Sequence, residues 1–358
     1  MQTSTRYLVL VFALSALLLS ACTGADRLAA SSWPGVTVTE STVYAAFGPH
    51  VYALSASDGR QLWQFPEEPE NGVTFFAAPA LSGDGAQLIA GGYDNTLYSI
   101  DAETGGPAGW TFNGASNRYI ADMLVANSAI FAANGNGNLY ALDFSGNPVW
   151  ADSYDTGEPI WAAPAADGGI LYFASLDHNL HAVDMETGTQ VWIRDLGTAS
   201  SGIPVISDGV LYIGTFGSRI FALDAATGEE NWSFETGDWV FGSVAVSDGV
   251  VYAGDIGGLL YAVDAVSGEE LWRFKTEGGI FGGPLVLDGV VYVGTDTGQF
   301  YAVSKDGEIE WPYTAAGKIY SPARFNGEYI IIATVEGEVL LTALDASGNS
   351  RWTFTPEE

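Results

Sequence analysis

The sequence predicts an all-β fold: an eight-bladed β-propeller of four-stranded antiparallel blades. Three observations predict it. A Trp recurs at Trp63, Trp110, Trp150, Trp192, Trp232, Trp272, Trp311 and Trp352, at spacings of 47, 40, 42, 40, 40, 39 and 41 residues. A period of about 40 residues is that of a propeller blade, a unit that cannot bury its apolar face alone and must stack on its neighbours. Each unit also reads as short apolar runs split by turn residues, the signature of strands joined by tight turns. Finally, 45 Gly and 47% hydrophobic residues against 15% charged suit many sharp turns around a large core. Length alone would allow two domains, but the repeat is unbroken, so residues 33–358 form one ring.

One unit shows how each element arises. Val251–Ala253 is a short β-prone strand, Asp255–Gly258 a turn and Leu259–Val263 a second strand. Asp264–Gly268 is a second turn and Leu271–Phe274 a third strand. The fourth strand precedes these, as in Phe281–Leu287, and is closed by a two-residue turn at Asp288-Gly289, like Asp208-Gly209 and Asp248-Gly249 elsewhere. Asp-Gly suits a tight hairpin because both central residues take positive φ. In chain order the strands are A, B, C and D. Asp184, Asp224 and Asp264 end strand C, where a carboxylate accepts backbone N–H groups two residues on. Gly188, Gly228 and Gly268 take the left-handed position of the same turn. The Trp of strand D then folds back over a small residue such as Ala182, Ala222 or Ala262.

The units depart from this pattern in places. Unit one has Ser55 where others carry Asp, and is followed by the charged loop Pro66–Asn71. Unit two has a lengthened C-to-D turn at Gly105–Gly109. Unit three carries Asn134–Asn138, an oxygen-rich run without carboxylates and therefore a turn in preference to a calcium loop. Unit four holds His178 and His181. His181 stands where Tyr140, Phe221 and Tyr261 stand in other units. Residues i and i+3 of a strand point to opposite faces, so packing is the reading and no metal is expected. Unit seven has Ser304 for Asp, and unit eight ends at Trp352. Both terminal units look complete, so the ring is expected to close by unit one packing on unit eight, with no shared blade.

The amino terminus is a targeting segment. Arg6 supplies positive charge and Leu8–Ala21 is an apolar run too short to span a bilayer. It ends in Leu19-Ser20-Ala21-Cys22, which resembles the lipobox of bacterial lipoprotein signal peptides. That resemblance implies cleavage of residues 1–21, acylation of Cys22 and a polar tether over residues 22–32. The protein would then be extracytoplasmic and membrane-anchored by Cys22, in the outer membrane where the host has two. Thr23 does not resemble an inner-membrane retention signal. Cys22 is the single Cys, so no intrachain disulfide can form.

The formal net charge is −31, which excludes nucleic acid as a partner, since binding it requires Lys and Arg to displace counterions. Many acids fall in turns, at Asp101, Asp143, Asp184, Asp224, Asp264 and Asp345, where turn geometry and solubility account for them.

One feature points to binding. Counting back from the A-to-B turn places Trp33, Phe76, Trp161, Phe241 and Phe281 at equivalent positions at the start of strand A, with Ile120, Ser201 and Ile319 in the other three units. Phe75, Tyr119, Trp239 and Tyr320 flank them. Successive strands alternate direction, so the D-to-A and B-to-C loops share this face. Two fates are open for the five aromatics: packing between neighbouring blades, the commoner fate of a ring, or a platform that docks a partner.

The motif Ala-x-Asp-x-x-(Thr/Ser)-Gly-x-x-x-Trp, seen over Ala182–Trp192, Ala222–Trp232 and Ala262–Trp272, resembles the tryptophan-docking repeat of PQQ-like (pyrroloquinoline-quinone-type) β-propellers. The resemblance covers nearly all of Trp33–Phe354. It fits WD40 propellers less well, because no Trp here is followed by Asp. The family has a dehydrogenase branch and a non-catalytic branch that includes a lipoprotein of outer-membrane β-barrel assembly. The dehydrogenases are much longer; several carry an adjacent Cys pair and a calcium site, for which this chain shows no pair and no insertion. Nor do the three His suggest a catalytic triad. The resemblance therefore implies a monomeric, non-catalytic scaffold with a protein partner in the cell envelope, touching the membrane through its lipid alone and holding no cofactor. The alternatives are a PQQ-binding protein or small quinoprotein oxidoreductase, and a carbohydrate- or peptide-binding surface module.

Overall fold

A computed structural model describes residues 33–357. The expected signal peptide, Cys22 and the tether lie outside them. The described chain forms eight four-stranded antiparallel sheets, each of four consecutive strands in the order A-B-C-D. Blade 6 is typical: strand A is Ala245–Ser247, B is Val250–Gly254, C is Leu259–Asp264 and D is Glu270–Lys275. Strands A lie innermost, each beside the A of a neighbouring blade, as in blades 6 and 7 or blades 1 and 8. No strand is exchanged. Blade 1 packs on blade 8 through a shared core that includes Val43, Leu54, Ile331 and Ala343.

Strand A is shorter than its apolar run. In blade 7 the ladder covers only Leu285–Leu287, whereas the sequence suggested a start at Phe281. The reason is steric. Neighbouring A segments touch backbone to backbone, so a Cβ on Gly242 would lie 2.6 Å from the amide nitrogen of Gly283. The A-to-B turns are as expected: Asp208, Asp248 and Asp288 have φ of 51, 50 and 50°, and their glycines 77, 76 and 80°.

The recurrent Trp has a destination that the sequence did not reveal. Trp192 does stand opposite Ala182 across the C–D ladder. A bulge then skips Val191, so that Gln190 pairs with Val183; such a bulge re-aims the strand's side chains. The indole passes to the next blade, where its Nε1–H donates to the carbonyl of Ala225 at 3.1 Å. All eight do the same, to Ala102, Phe144, Met185, Ala225, Ala265, Lys305, Ala346 and finally Ala56, at 2.6–3.2 Å. Each acceptor directly follows the Asp or Ser that begins the C-to-D turn of the next blade, from Asp101 and Asp143 to Ser304, Asp345 and Ser55. The last bond, Trp352 to Ala56, closes the ring.

Each indole lies flat on the turn glycine beyond that carbonyl. A Cβ on Gly59, Gly105, Gly146, Gly188, Gly228, Gly268, Gly307 or Gly348 would come within 2.5–2.9 Å of the ring of the preceding blade's Trp. These glycines are thus demanded twice, by positive φ and by the indole. The strand-C Asp holds the turn in place. Asp264 Oδ1 accepts the Val266 and Ser267 amides at 3.0 and 2.7 Å and the Ser267 hydroxyl at 2.9 Å. Such donors hold the carboxyls of Asp101, Asp143, Asp184 and Asp264 below their ordinary value, and that of Asp345 down to about 2. Their contribution is complete above the ordinary value and is lost as pH falls through the lowered one.

Two glycines in one blade separate the two demands. Gly268 has φ +73° and a Cβ there would meet Trp232 at 2.8 Å; Gly249 has φ +76° with nothing within 4 Å. Gly249→Ala is expected to cost about 1–2 kcal/mol, the left-handed conformation alone. Gly268→Ala adds overpacking, for a total of about 2–5 kcal/mol. Urea melts of the two variants measure the difference, and equal costs would refute a clamp at Gly268.

Candidate functional site

The candidate site is the mouth of the ring where the D-to-A and B-to-C loops meet. These loops bond to one another in pairs: Phe216 N–H to Ala199 O, Ile256 N–H to Trp239 O and Asp296 N–H to Gly279 O, at 2.9–3.0 Å. One face therefore carries both sets, as strand alternation requires.

Entry to strand A follows one geometry. Val240, Ile280 and Ile319 donate their N–H groups to Thr215, Asp255 and Thr295 of the preceding blade. All three are fully buried. They press so closely on Gly214, Gly254 and Gly294 that a Cβ on those glycines would lie 2.1–2.3 Å away. The residue after each is half-buried at the mouth: Phe241, Phe281 and, in blade 8, Tyr320. The expected equivalence of Ile319 is thus one residue out. In blade 8 strand A is only Arg324–Phe325, and Asn326 starts a longer turn by accepting the amides of Glu328 and Tyr329. Counting back from Asn326-Gly327 consequently overshoots. The residues that pack between blades are the ones before the predicted ring, which leaves the ring itself at the mouth.

Three of the five predicted aromatics come together. Trp33 stacks on Tyr320 at 4.9 Å and 10°, and meets Phe241 at 5.4 Å and Phe281 at 5.9 Å. Phe241 and Phe281 are 5.7 Å apart, and Phe281 and Tyr320 5.1 Å. Phe241 continues outward through Phe216 at 5.4 Å to Trp239 at a further 5.4 Å, both stacked. Phe76 belongs to a second group with Phe47 and Tyr93; the Arg118 guanidinium lies over Tyr93. Trp161 is half-buried and, among the described residues, joins neither group. Sequence reasoning noted Trp239 and Tyr320 only as flanking residues and missed Phe216, which lies in a B-to-C loop away from the counted position.

A polar link crosses the same region. Asp122 of blade 3 accepts the Ala78 amide of blade 2 at 2.7 Å and the Arg324 guanidinium of blade 8 at 3.4 Å. Arg324 Nε–H also donates to the Val36 carbonyl of blade 1 at 3.1 Å. Burial pushes the Asp122 carboxyl up, against the pull of Arg324. This arrangement bears on pyrroloquinoline quinone. A planar tricarboxylate needs cations, yet Arg324 is engaged by Asp122, and Lys318 pairs with Glu336 at 2.6 Å. Among the described residues no group of three His, Cys, Asp or Glu is placed to hold a metal ion.

The His pair separates, but not by strand alternation: His178 lies in the B-to-C turn with φ 75°, and strand C starts only at Asn179. His178 is exposed, while His181 is buried and stacked on Phe173 at 5.3 Å. Its nitrogens meet Asp177 and Tyr154, each at 3.0 Å. Burial holds its pKa below the ordinary 6.5, with Asp177 pulling the other way. The folded state therefore binds fewer protons than the unfolded state just below pH 6.5, and stability falls as pH drops through that value. His181→Phe should remove this component. The stability difference between the two proteins is expected to be flat above pH 6.5 and to shift toward the variant below it; a difference flat down to pH 5 would refute the assignment. Tyr119 is fully buried where blades 4, 6, 7 and 8 place Ile160, Val240, Ile280 and Ile319, and its hydroxyl has no partner among the described residues. Tyr119→Phe is expected to stabilise by about 1 kcal/mol or more in a urea melt, because an unpaired buried hydroxyl costs about 1–3.

The comparisons with known proteins agree with this architecture. A family profile described as "Outer membrane protein assembly factor BamB" matches residues 48–174, 135–239, 176–279 and 218–358. The outer membrane protein assembly factor BamB of Yersinia pestis is 29% identical over 188 residues, covering 47% of this chain and 45% of that protein. The serine/threonine-protein kinase AfsK of Streptomyces griseus is 28% identical over 222 residues, covering 48% of this chain and 27% of the kinase. The chain thus spans less than half the length of these relatives. The crystal structure of BamB from Moraxella catarrhalis superposes with a TM-score of 0.73 at 21% identity, covering 86% of this chain and 92% of that one; this likeness is of fold. With its profile matched over residues 48–358, the chain belongs to the PQQ-like propeller family described as outer membrane protein assembly factor BamB.

Proposed function

We propose that this chain is a lipid-anchored, non-catalytic protein-interaction scaffold of the bacterial envelope that serves outer-membrane protein assembly. The observation that carries the reading is the family match across the ring. Its support from geometry is that Asp122 and Arg324 hold blades 1, 2, 3 and 8 together, and Ser321 the Pro34 carbonyl. A propeller hosts enzymes and scaffolds alike, so the reading rests on the site, whose chemistry is aromatic and structural.

Cys22 is the proposed anchor. Trp33, Phe241 and Phe281 spend much of their surface on one another, so within the predicted ring Phe76 and Trp161 are the better candidates to meet a protein partner. Affinity capture of the anchored protein from its own membrane tests the partner class. Trp161→Ala is expected to lower capture while a melting curve moves little; a loss of roughly 3 kcal/mol or more would return Trp161 to the core. Cys22→Ser is expected to release the protein from the membrane fraction. Persistence of the Ser variant in membranes after a high-salt wash would remove the anchor.

A further inference from the structure

The aromatic run at the mouth ends on an indole that the clamp does not use. Trp239 is 44% exposed. It stacks on Phe216, and Phe216 on Phe241, which meets Trp33. An apolar track thus leads from the first described residue of the propeller to the rim of one face. Tryptophan with one side packed and one side open suits the headgroup level of a bilayer.

The chain's own connectivity says which bilayer. Trp33 is held at this mouth by Tyr320, Phe241 and Phe281, and ten residues separate it from Cys22. Eleven residue steps reach about 40 Å when fully extended and about 18 Å when relaxed. We propose that the loop face of blades 5 to 8 lies against the lipid bilayer that holds the amino terminus, with Trp239 and Phe216 seated at its headgroups. The inference rests on the lipid anchor at Cys22. Charge selects the lipid. Arg219, Lys275 and Lys318 stand near this face, but Glu235, Asp238, Glu277, Asp296 and Glu336 outnumber them, and the whole chain carries −31. An anionic surface would be repelled, so the fit is a zwitterionic one. The opposite face, which carries the A-to-B and C-to-D turns, then points away from the membrane.

The experiment uses lipidated full-length protein in phosphatidylcholine vesicles. Acylation leaves Cys22 without a free thiol, so a nitroxide attaches only to an introduced Cys. Glu277→Cys reports on the proposed face and Val266→Cys, at a site 87% exposed on a C-to-D turn, on the opposite one. A nickel-chelating lipid relaxes nearby nitroxides. Relaxation is expected to be several-fold greater at position 277 than at 266, and the excess is expected to fall when Trp239→Ala and Phe216→Ala are added. Equal relaxation at both positions in protein that still floats with the vesicles would overturn the orientation and leave the anchor standing. A label at 277 relaxed no more than one at 266 but shielded once a captured protein is added would assign the face to a protein and overturn the lipid assignment. Failure of the unsubstituted lipidated protein to float would remove the anchor and the inference together.

Discussion

Everything in this ring depends on a joint between an indole and a glycine of the next blade. The Trp of strand D donates to a carbonyl and covers a left-handed glycine, and both acceptors belong to the C-to-D turn of its neighbour. A propeller blade has little core of its own. Its stability is therefore an interface property, made by the apolar core shared between blades and fastened at its edge by one large side chain. The Asp that ends strand C acts at one remove: by holding the turn it holds the carbonyl and the glycine in the places the indole requires. In blades 4 and 5 a strand-B tyrosine shares the carbonyl, with the Tyr172 hydroxyl on Ala225 at 3.0 Å and that of Tyr212 on Ala265 at 3.1 Å. The joint is thus a small network, in which a lost member leaves the others partly unsatisfied.

Ring closure is the same joint used an eighth time. Trp352 reaches Ala56 across 296 residues of sequence, a bond with the same partners and geometry as the local ones. The entropy of closing so long a loop grows only slowly with its length, so a uniform joint suffices and no strand need be shared. The seam does carry an addition near the mouth. Arg324 and Asp122 tie blade 8 to blade 3 and, through Val36 and Ala78, to blades 1 and 2. Among the described residues the other side-chain hydrogen bonds of the inner ring join adjacent blades, as where Ser243 accepts the Ile203 amide at 2.9 Å.

The fold was largely legible because it is periodic. Eight Trp, recurrent Asp and Gly and the Asp-Gly hairpins each report one local conformation, and local conformation is what a single sequence encodes most directly. The partner of each Trp was not legible, since Ala182 and Ala225 are equally plausible small neighbours and only the third dimension places the second under the indole. The site was legible in kind but not in grouping. Counting found Trp33, Phe241 and Phe281, which turn out to touch, and also Phe76 and Trp161, which do not touch them. Identical positions in a ring share a radius and a height but not an azimuth, and contact depends on azimuth. Blade 8 shows the other limit: a two-residue strand A and a longer turn at Asn326 shift the count by one, and no residue type marks the shift.

Separating the joint from the surfaces explains why function is harder to read than fold. The residues that recur are those the joint consumes, so the more regular a blade, the less it says about binding. Information about partners lies where the repeat is broken. Phe216 follows Thr215 where Leu176 and Ile256 occupy the same loop, and Trp239 has Gly279 as its counterpart in the next loop, the pair bonding alike to Ile256 and Asp296. Neither ring enters a clamp or a core between blades, and yet the two are stacked on each other. An indole left 44% exposed at the end of such a stack is not explained by the stability of the ring. It is the side chain that the proposed contact of the loop face with a bilayer would use.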